Sequence, residues 1–281
     1  KKRSIKREII EANKFQITKR IAILGGSTTS EIKDILELFL LNSGIKPEFY
    51  ESDYNQFFEE AIFDNSALED FNPHIIYIHT TFRNILNFPS VKDTKEDVGV
   101  LVNAEIKRYI SIWNSLEKYN CPVIQNNFEL PINRHLGNLD CYSTHGKTNF
   151  VNKVNLKLAE SVADVKNVYI NDINYLSSYV GLDRWFDKAL WYSSKYALSF
   201  EAMPILASSI NNIINAILGG SKKCLVLDLD NTCWGGVIAD DGLSGIRIGK
   251  ETAIDEAYLE FQIYIKELRS VGISLAVNSK N

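Results

Sequence analysis

Short, wholly apolar runs alternate along this chain with longer stretches whose apolar residues recur every three or four positions. The short runs read as buried strands and the longer ones as amphipathic helices. Residues 1–20 read as an amphipathic helix or leading arm. Residues 20–24 (RIAIL) form the first predicted strand, followed by a helix from Glu31 with Ser30 as its N-cap and Gly44 as its stop. Further strands are predicted at 46–51, at 74–81 after Asn72-Pro73, at 122–125 and at 167–171, with helices at 96–119, 149–164 and 200–218. Gly219-Gly220-Ser221 then interrupts the pattern and marks a boundary. Beyond it the chain reads as a strand (223–228), a Gly-rich segment (235–249), a helix (252–270) and a strand (273–277). Strands alternating with helices predict an α/β fold with a doubly wound parallel sheet over residues 1–220, and a second, smaller α/β domain over 221–281.

Composition narrows the class. Of the 281 residues, 45% are hydrophobic and 23% charged, the balance of a soluble globular protein with a sizeable core. A formal net charge of −4 argues against a nucleic-acid partner. No apolar run reaches the length of a membrane span, and the basic start leads into mixed charges rather than a signal sequence, so the expectation is a cytoplasmic protein with no membrane partner. Cys121, Cys141, Cys224 and Cys233 lack CxxC spacing, which predicts neither zinc site nor disulfide framework. Cys224 and Cys233 read as small apolar fillers.

The most informative run is 223–232, KCLVLDLDNT. Alternate strand side chains share a face, so Asp228 and Asp230 are expected to converge where this buried strand ends. Two converging carboxylates repel each other, and a divalent cation offsets the repulsion. Mg²⁺ takes oxygen ligands, keeps several waters and accepts phosphate. The run therefore predicts Mg²⁺-dependent phosphoryl transfer, with a bland alternative in which Asp and Asn simply make a turn.

Asp228-Leu229-Asp230-Asn231-Thr232 resembles the DxDxT motif of the haloacid dehalogenase (HAD) superfamily. The wider segment LVLDLDNTCWGGVIADDGLSGIRIG (225–249) is similar to its FkbH-like branch, as are GISLAVNSKN (272–281), RHLGNLD (134–140) and RWFDKALWY (184–192). The likeness is densest over the last half of the chain. It implies the start of a HAD-type Rossmann-like domain. Asp228 would be the nucleophile and a Mg²⁺ ligand; Asp230 would be the general acid/base, ligating through its backbone carbonyl. The N–H groups around Leu229 and Asn231, with Thr232 steadying the turn and Ser279 on the neighbouring strand, would bind phosphate. Lys280 reads as a solvated turn lysine. Residues 234–249 look like a flap over the site, with Gly235-Gly236 supplying backbone freedom and Trp234 either stacking on a substrate or packing between domains. Asp240-Asp241-Gly242 reads as a hairpin turn. The later lysine and acidic ligands of the superfamily have no counterpart here, so the domain is expected to continue past Asn281.

The first domain, with its strand–GGST–helix start (25–28), resembles SGNH-type hydrolases, in which Ser27 would be the nucleophile. The usual Gly-Asp-Ser reads Gly-Gly-Ser, the expected Asp-x-x-His reads DKAL (187–190), and no Gly-x-Asn-Asp block is present. The expectation is a non-catalytic SGNH-like module, with 25–30 as turn and helix cap. His135 and His145 are unassigned, and His74 and His79 read as packed. Arg134, Asn138 and Asp140 lie in a long polar loop facing an interdomain cleft, and Trp185 and Trp191 read as a cluster between the domains. The substrate implied is a small phosphorylated metabolite. Two further readings stay open: an FkbH-type glyceryl transferase loading a three-carbon unit from an acyl phosphate onto an acyl carrier protein, and a non-enzymatic binding module.

Overall fold

In the computed structural model, which describes residues 2–12 and 17–280, strands and helices alternate as the pattern requires. The chain divides into two compact units, Lys1–Leu218 and Gly219–Asn281. The first contains β1 (Ile17–Gly25), β2 (Ile45–Glu51), β3 (Ile75–His79), β4 (Val123–Asn126) and β5 (Val168–Asn171), all parallel in the order β2-β1-β3-β4-β5. Its helices are α1 (Lys2–Ala12), α2 (Ser30–Asn42), α3 (Phe57–Ile62), α4 (Ser66–Phe71), α5 (Lys95–Leu116), α6 (Lys147–Val162), α7 (Ile173–Val180), α8 (Leu182–Trp185), α9 (Lys188–Ser194) and α10 (Met203–Ile217).

Strand alternation builds two cores. Ile21, Ile23, Ile75, Tyr77 and Ile124 point into one, with Ile32, Leu36 and Leu40 of α2 and Met203, Leu206, Ile210 and Ile214 of α10. Ala22, Leu24, Ile76, Ile78 and Val123 point into the other, with α3–α6. Each large aliphatic side chain buried this way stabilises the fold by about 1.5–3 kcal/mol. Pro47 sits in β2, an edge strand, where its missing N–H breaks no ladder.

Several local expectations change. The segment 52–73 contains α3 and α4, and 172–195 contains α7, α8 and α9, none read from the pattern. Helices of four to eight residues carry too little periodicity to register. Their start signals are visible in retrospect: Asn65, Asp172 and Asp187 accept from Leu68, Tyr175 and Ala189 N–H groups. Ser30 is the first helical residue rather than the cap, and its hydroxyl bonds Tyr196 Oη at 2.7 Å. Thr29 holds the cap position, with its Oγ1 donated to Glu51 at 2.6 Å. Trp185, expected between domains, is buried in the first unit's own core, and Trp191 packs against the same cluster.

The second unit is a single crossover: β6 (Cys224–Leu227), α11 (Ile238–Gly245), α12 (Ala253–Ser270) and β7 (Ser274–Val277), with β6 and β7 parallel. The strand before the paired acids, expected to be buried, is not. Leu225 and Leu227 are half-buried, while Cys224 and Val226 face outward. Two strands and two helices bury little within this unit: Cys233 and Ile265 are its buried apolar side chains among the described residues. No helix among the described residues is long and apolar enough to cross a membrane.

Candidate active site

β6 ends at Leu227, whose carbonyl accepts the Asn278 N–H at 2.9 Å across the ladder. Asp228 therefore leaves the sheet one residue earlier than expected, beside the end of β7. From Leu229 the chain makes a helical turn, with Thr232 and Cys233 N–H groups bonded to the Leu229 carbonyl at 3.2 and 2.8 Å. Asn231 adopts φ 55°, a left-handed conformation that asparagine tolerates.

The two acids sit in different surroundings. Asp228 is exposed, and its Oδ1 accepts the Leu229 N–H at 2.9 Å. Asp230 is half-buried, and its Oδ1 accepts from Trp234 Nε1 at 3.0 Å and from the Ile238 N–H at 3.2 Å. Trp234 thus braces the second acid, a contact the sequence did not display. The sequence carries the indole N–H four residues after the aspartate, but not the turn that aims it.

The segment after the turn is tied down at its root. Asn231 Oδ1 accepts the Gly236 N–H at 2.9 Å, and Gly235 exchanges two backbone bonds with Arg247 at 2.9 and 2.7 Å. Gly236 has φ 100°, and a Cβ there would lie 2.8 Å from Asp241 Oδ2. Asp240-Asp241-Gly242 makes no hairpin: it lies in α11, kinked at Gly242 (φ 68°), and Asp241 accepts the Val237 N–H at 2.8 Å. The acid at the start of a helical turn satisfies a donor the helix leaves open. Cys233 is buried, donates to the Asp228 carbonyl at 3.3 Å, and its own carbonyl takes Gln262 Nε2 at 2.8 Å. Burial, with the Asp228 charge beside it, pushes the Cys233 thiol up.

In the first unit strand order reverses between β1 and β3, at whose carboxyl ends such sheets bind ligands. Ser27 lies there, 2% exposed, its hydroxyl buried without a partner. Its turn is held by Gly26 N–H on the His79 carbonyl at 2.8 Å and by Asn84 Nδ2 on the Gly26 carbonyl at 2.8 Å. No histidine bonds Ser27: His79 Nδ1 pairs with Tyr77 Oη at 2.9 Å, and His145 Nε2 with the Asp93 carbonyl at 2.8 Å. A serine nucleophile requires a base within hydrogen-bond reach. Asp140, expected to face a cleft, is buried and accepts the Thr148 N–H at 2.7 Å, capping α6.

Residues 20–215 match the family described as FkbH, N-terminal domain. The chain belongs to this family. The FkbH-domain chain is also similar, at 28% identity and TM-score 0.86, to the N-terminal part of the protein BF1531 from Bacteroides fragilis, described as containing a phosphatase domain complexed with Mg. That match covers 100% of this chain and 72% of the other. Looser structural matches include TesA (10% identity, TM-score 0.47, 72% of this chain and 99% of that one) and a putative acylhydrolase from Bacteroides fragilis (13%, 0.43, 76% and 96%). No curated protein matches.

Within this FkbH-domain chain the expected phosphate ligands are placed as follows. The Leu229 and Asn231 N–H groups are engaged internally, by Asp228 Oδ1 and the Gly236 carbonyl. Thr232 closes the turn through its backbone. Ser279 is half-buried two residues beyond β7 and bonds nothing among the described residues; Lys280 is exposed, and Asn281 lies outside the described residues. Among the described residues no group of three or more His, Cys, Asp or Glu side chains is arranged to hold a metal ion. The donor set would instead be the Asp228 carboxylate and the Asp230 backbone carbonyl, hard oxygens that fit Mg²⁺ because that ion completes its shell with waters and substrate phosphate.

Proposed function

We propose that the second unit carries an Mg²⁺-dependent phosphoryl-transfer site of HAD type, acting on a small phosphorylated metabolite. The observation that supports it most is the placement of Asp228 and Asp230 on one turn at the carboxyl end of β6, one open to solvent and the other anchored by Trp234 and Ile238. The likeness to a Mg-complexed, phosphatase-domain protein supports it further. In this reading an oxygen of Asp228 attacks phosphorus, the bond to the leaving oxygen breaks, and Asp230 gives that oxygen a proton. The resulting acyl phosphate on Asp228 is cleaved by water, whose proton returns to Asp230. Mg²⁺ held by the Asp228 side chain and the Asp230 backbone carbonyl would offset the negative charge shared by nucleophile and phosphate.

The test is phosphate release from phosphate monoesters and acyl phosphates by the protein, with and without Mg²⁺. Activity should require the ion and fall to background in Asp228→Asn with the circular dichroism spectrum unchanged. Activity that survives that substitution rejects the assignment. Membership of the FkbH family over 20–215 favours a second reading, transfer of a three-carbon unit from an acyl phosphate to an acyl carrier protein. A mass shift on the carrier would separate the two.

A further inference from the structure

The loops after β3 and β4, the start of α6 and the α8–α9 junction line a cavity of about 130 Å³ in the first unit. Arg83, His135, Lys147 and Lys188 line it together with Phe82 and Phe186, and none of its lining residues is acidic. Three permanent cations around so small a space repel one another. None of them is paired with a carboxylate within 4.0 Å among the described residues.

Arg83 is the most constrained of the three. Its guanidinium carbon lies 5.0, 4.5 and 4.2 Å from the ring centroids of Phe82, Phe186 and Trp191. Aromatic faces hold the planar cation in place but take none of its five N–H donors. Those donors find no protein acceptor among the described residues. Two acids lie nearby: Glu129, which attracts Arg83 without forming an ion pair with it among the described residues, and Asp187. Glu129 is buried, accepts the Phe82 N–H at 3.2 Å, and burial pushes its carboxyl up to about 7. Asp187 caps α9 through the Ala189 and Leu190 N–H groups. A pre-oriented guanidinium fork flanked by two ammonium groups matches an oxyanion with several acceptor oxygens. The volume admits a head group and excludes a whole nucleotide.

We propose that this cavity binds the phosphate head of a phosphate monoester. The site is distinct in sequence from Asp228 and Asp230 and does not rest on their assignment.

The experiment is calorimetric titration of the protein with inorganic phosphate in low-salt, Mg²⁺-free buffer containing a chelator. Saturable binding is expected, weakened at least about tenfold in Arg83→Met and in Lys147→Gln/Lys188→Gln, and unchanged in Asp228→Asn. The double lysine variant alters one half-buried and one exposed side chain, so it reads out even if Arg83→Met fails to fold. Absence of saturable binding by the unaltered protein overturns the proposal. So does unchanged affinity in the lysine variant, or acetate binding as tightly as phosphate. Loss of binding in Asp228→Asn would assign the phosphate to the other unit and equally overturn it.

Discussion

Asp230 and Trp234 show how one residue's environment is set by a neighbour that the motif does not include. A hydrogen bond to a charged carboxylate is worth about 1.5–3 kcal/mol. Trp234→Phe keeps an aromatic ring but loses the indole's five-membered ring and with it the N–H on Asp230 Oδ1. It should lower kcat for Mg²⁺-dependent phosphate release about tenfold while leaving KM within about twofold. A kcat within twofold of the unaltered protein would show that the indole does not position the acid. At this scale the sequence displayed the acids, because two aspartates after an apolar run are rare enough to be noticed. It hid the brace, because an N–H four residues away can point anywhere until the turn is built. The turn itself depends on Asn231 taking φ 55°, which residue spacing does not reveal.

Among the elements, the strands and long helices were legible and the short helices were not. Packing in β1 and β3 alternates between two cores that both demand apolar residues, so each strand reads as a continuous run. α5 runs Val98, Val102, Ile106, Tyr109, Trp113 and Leu116 down one face, several turns of consistent period. The loop before α6 looked merely polar, yet Asp140 folds back to cap that helix, and Gly146 allows the approach: a Cβ there would stand 2.1 Å from the Asp140 carbonyl oxygen. Asp140→Ala should destabilise the protein by about 1–2 kcal/mol. In thermal unfolding that is a fall of roughly 2–8 °C. Asp140→Asn, which retains an acceptor, should recover most of it. Equal melting of all three proteins would remove the cap from the account.

For the whole molecule, the two units differ in how much they bury, and their resemblances were unequally visible. The denser motifs lay in the second unit, with RHLGNLD (134–140) and RWFDKALWY (184–192) in the first, whereas the family match lies over 20–215, in the first. To the eye the buried core of that unit says only α/β. That same core holds two titratable groups with opposite effects on stability. Burial pushes the Glu129 carboxyl up to about 7 and the His79 imidazole down to about 4. For Glu129 the folded state holds its proton longer than the unfolded chain, so its stabilisation is full below about pH 4.5 and is lost as pH rises to 7. For His79 the unfolded chain takes the proton first, so stability is lost as pH falls from about 6.5 toward 4. Between about 4.5 and 6.5 the two slopes oppose. Glu129→Gln should therefore gain stability over the parent as pH rises, by roughly 3 kcal/mol at pH 8 relative to pH 4. Denaturant unfolding at both pH values checks this; the same difference at each would exclude Glu129 as the source.

The bonds from Asp230 to Ile238, from Asn231 to Gly236 and between Gly235 and Arg247 make the acidic turn and the covering segment a single mechanical piece. On the proposed phosphoryl-transfer reading, with residues 236–246 as a flap, lifting that segment to admit a guest pulls on Asp230. In that reading admission and proton delivery are geared together, the acid reaching its working position only when the gate has swung back.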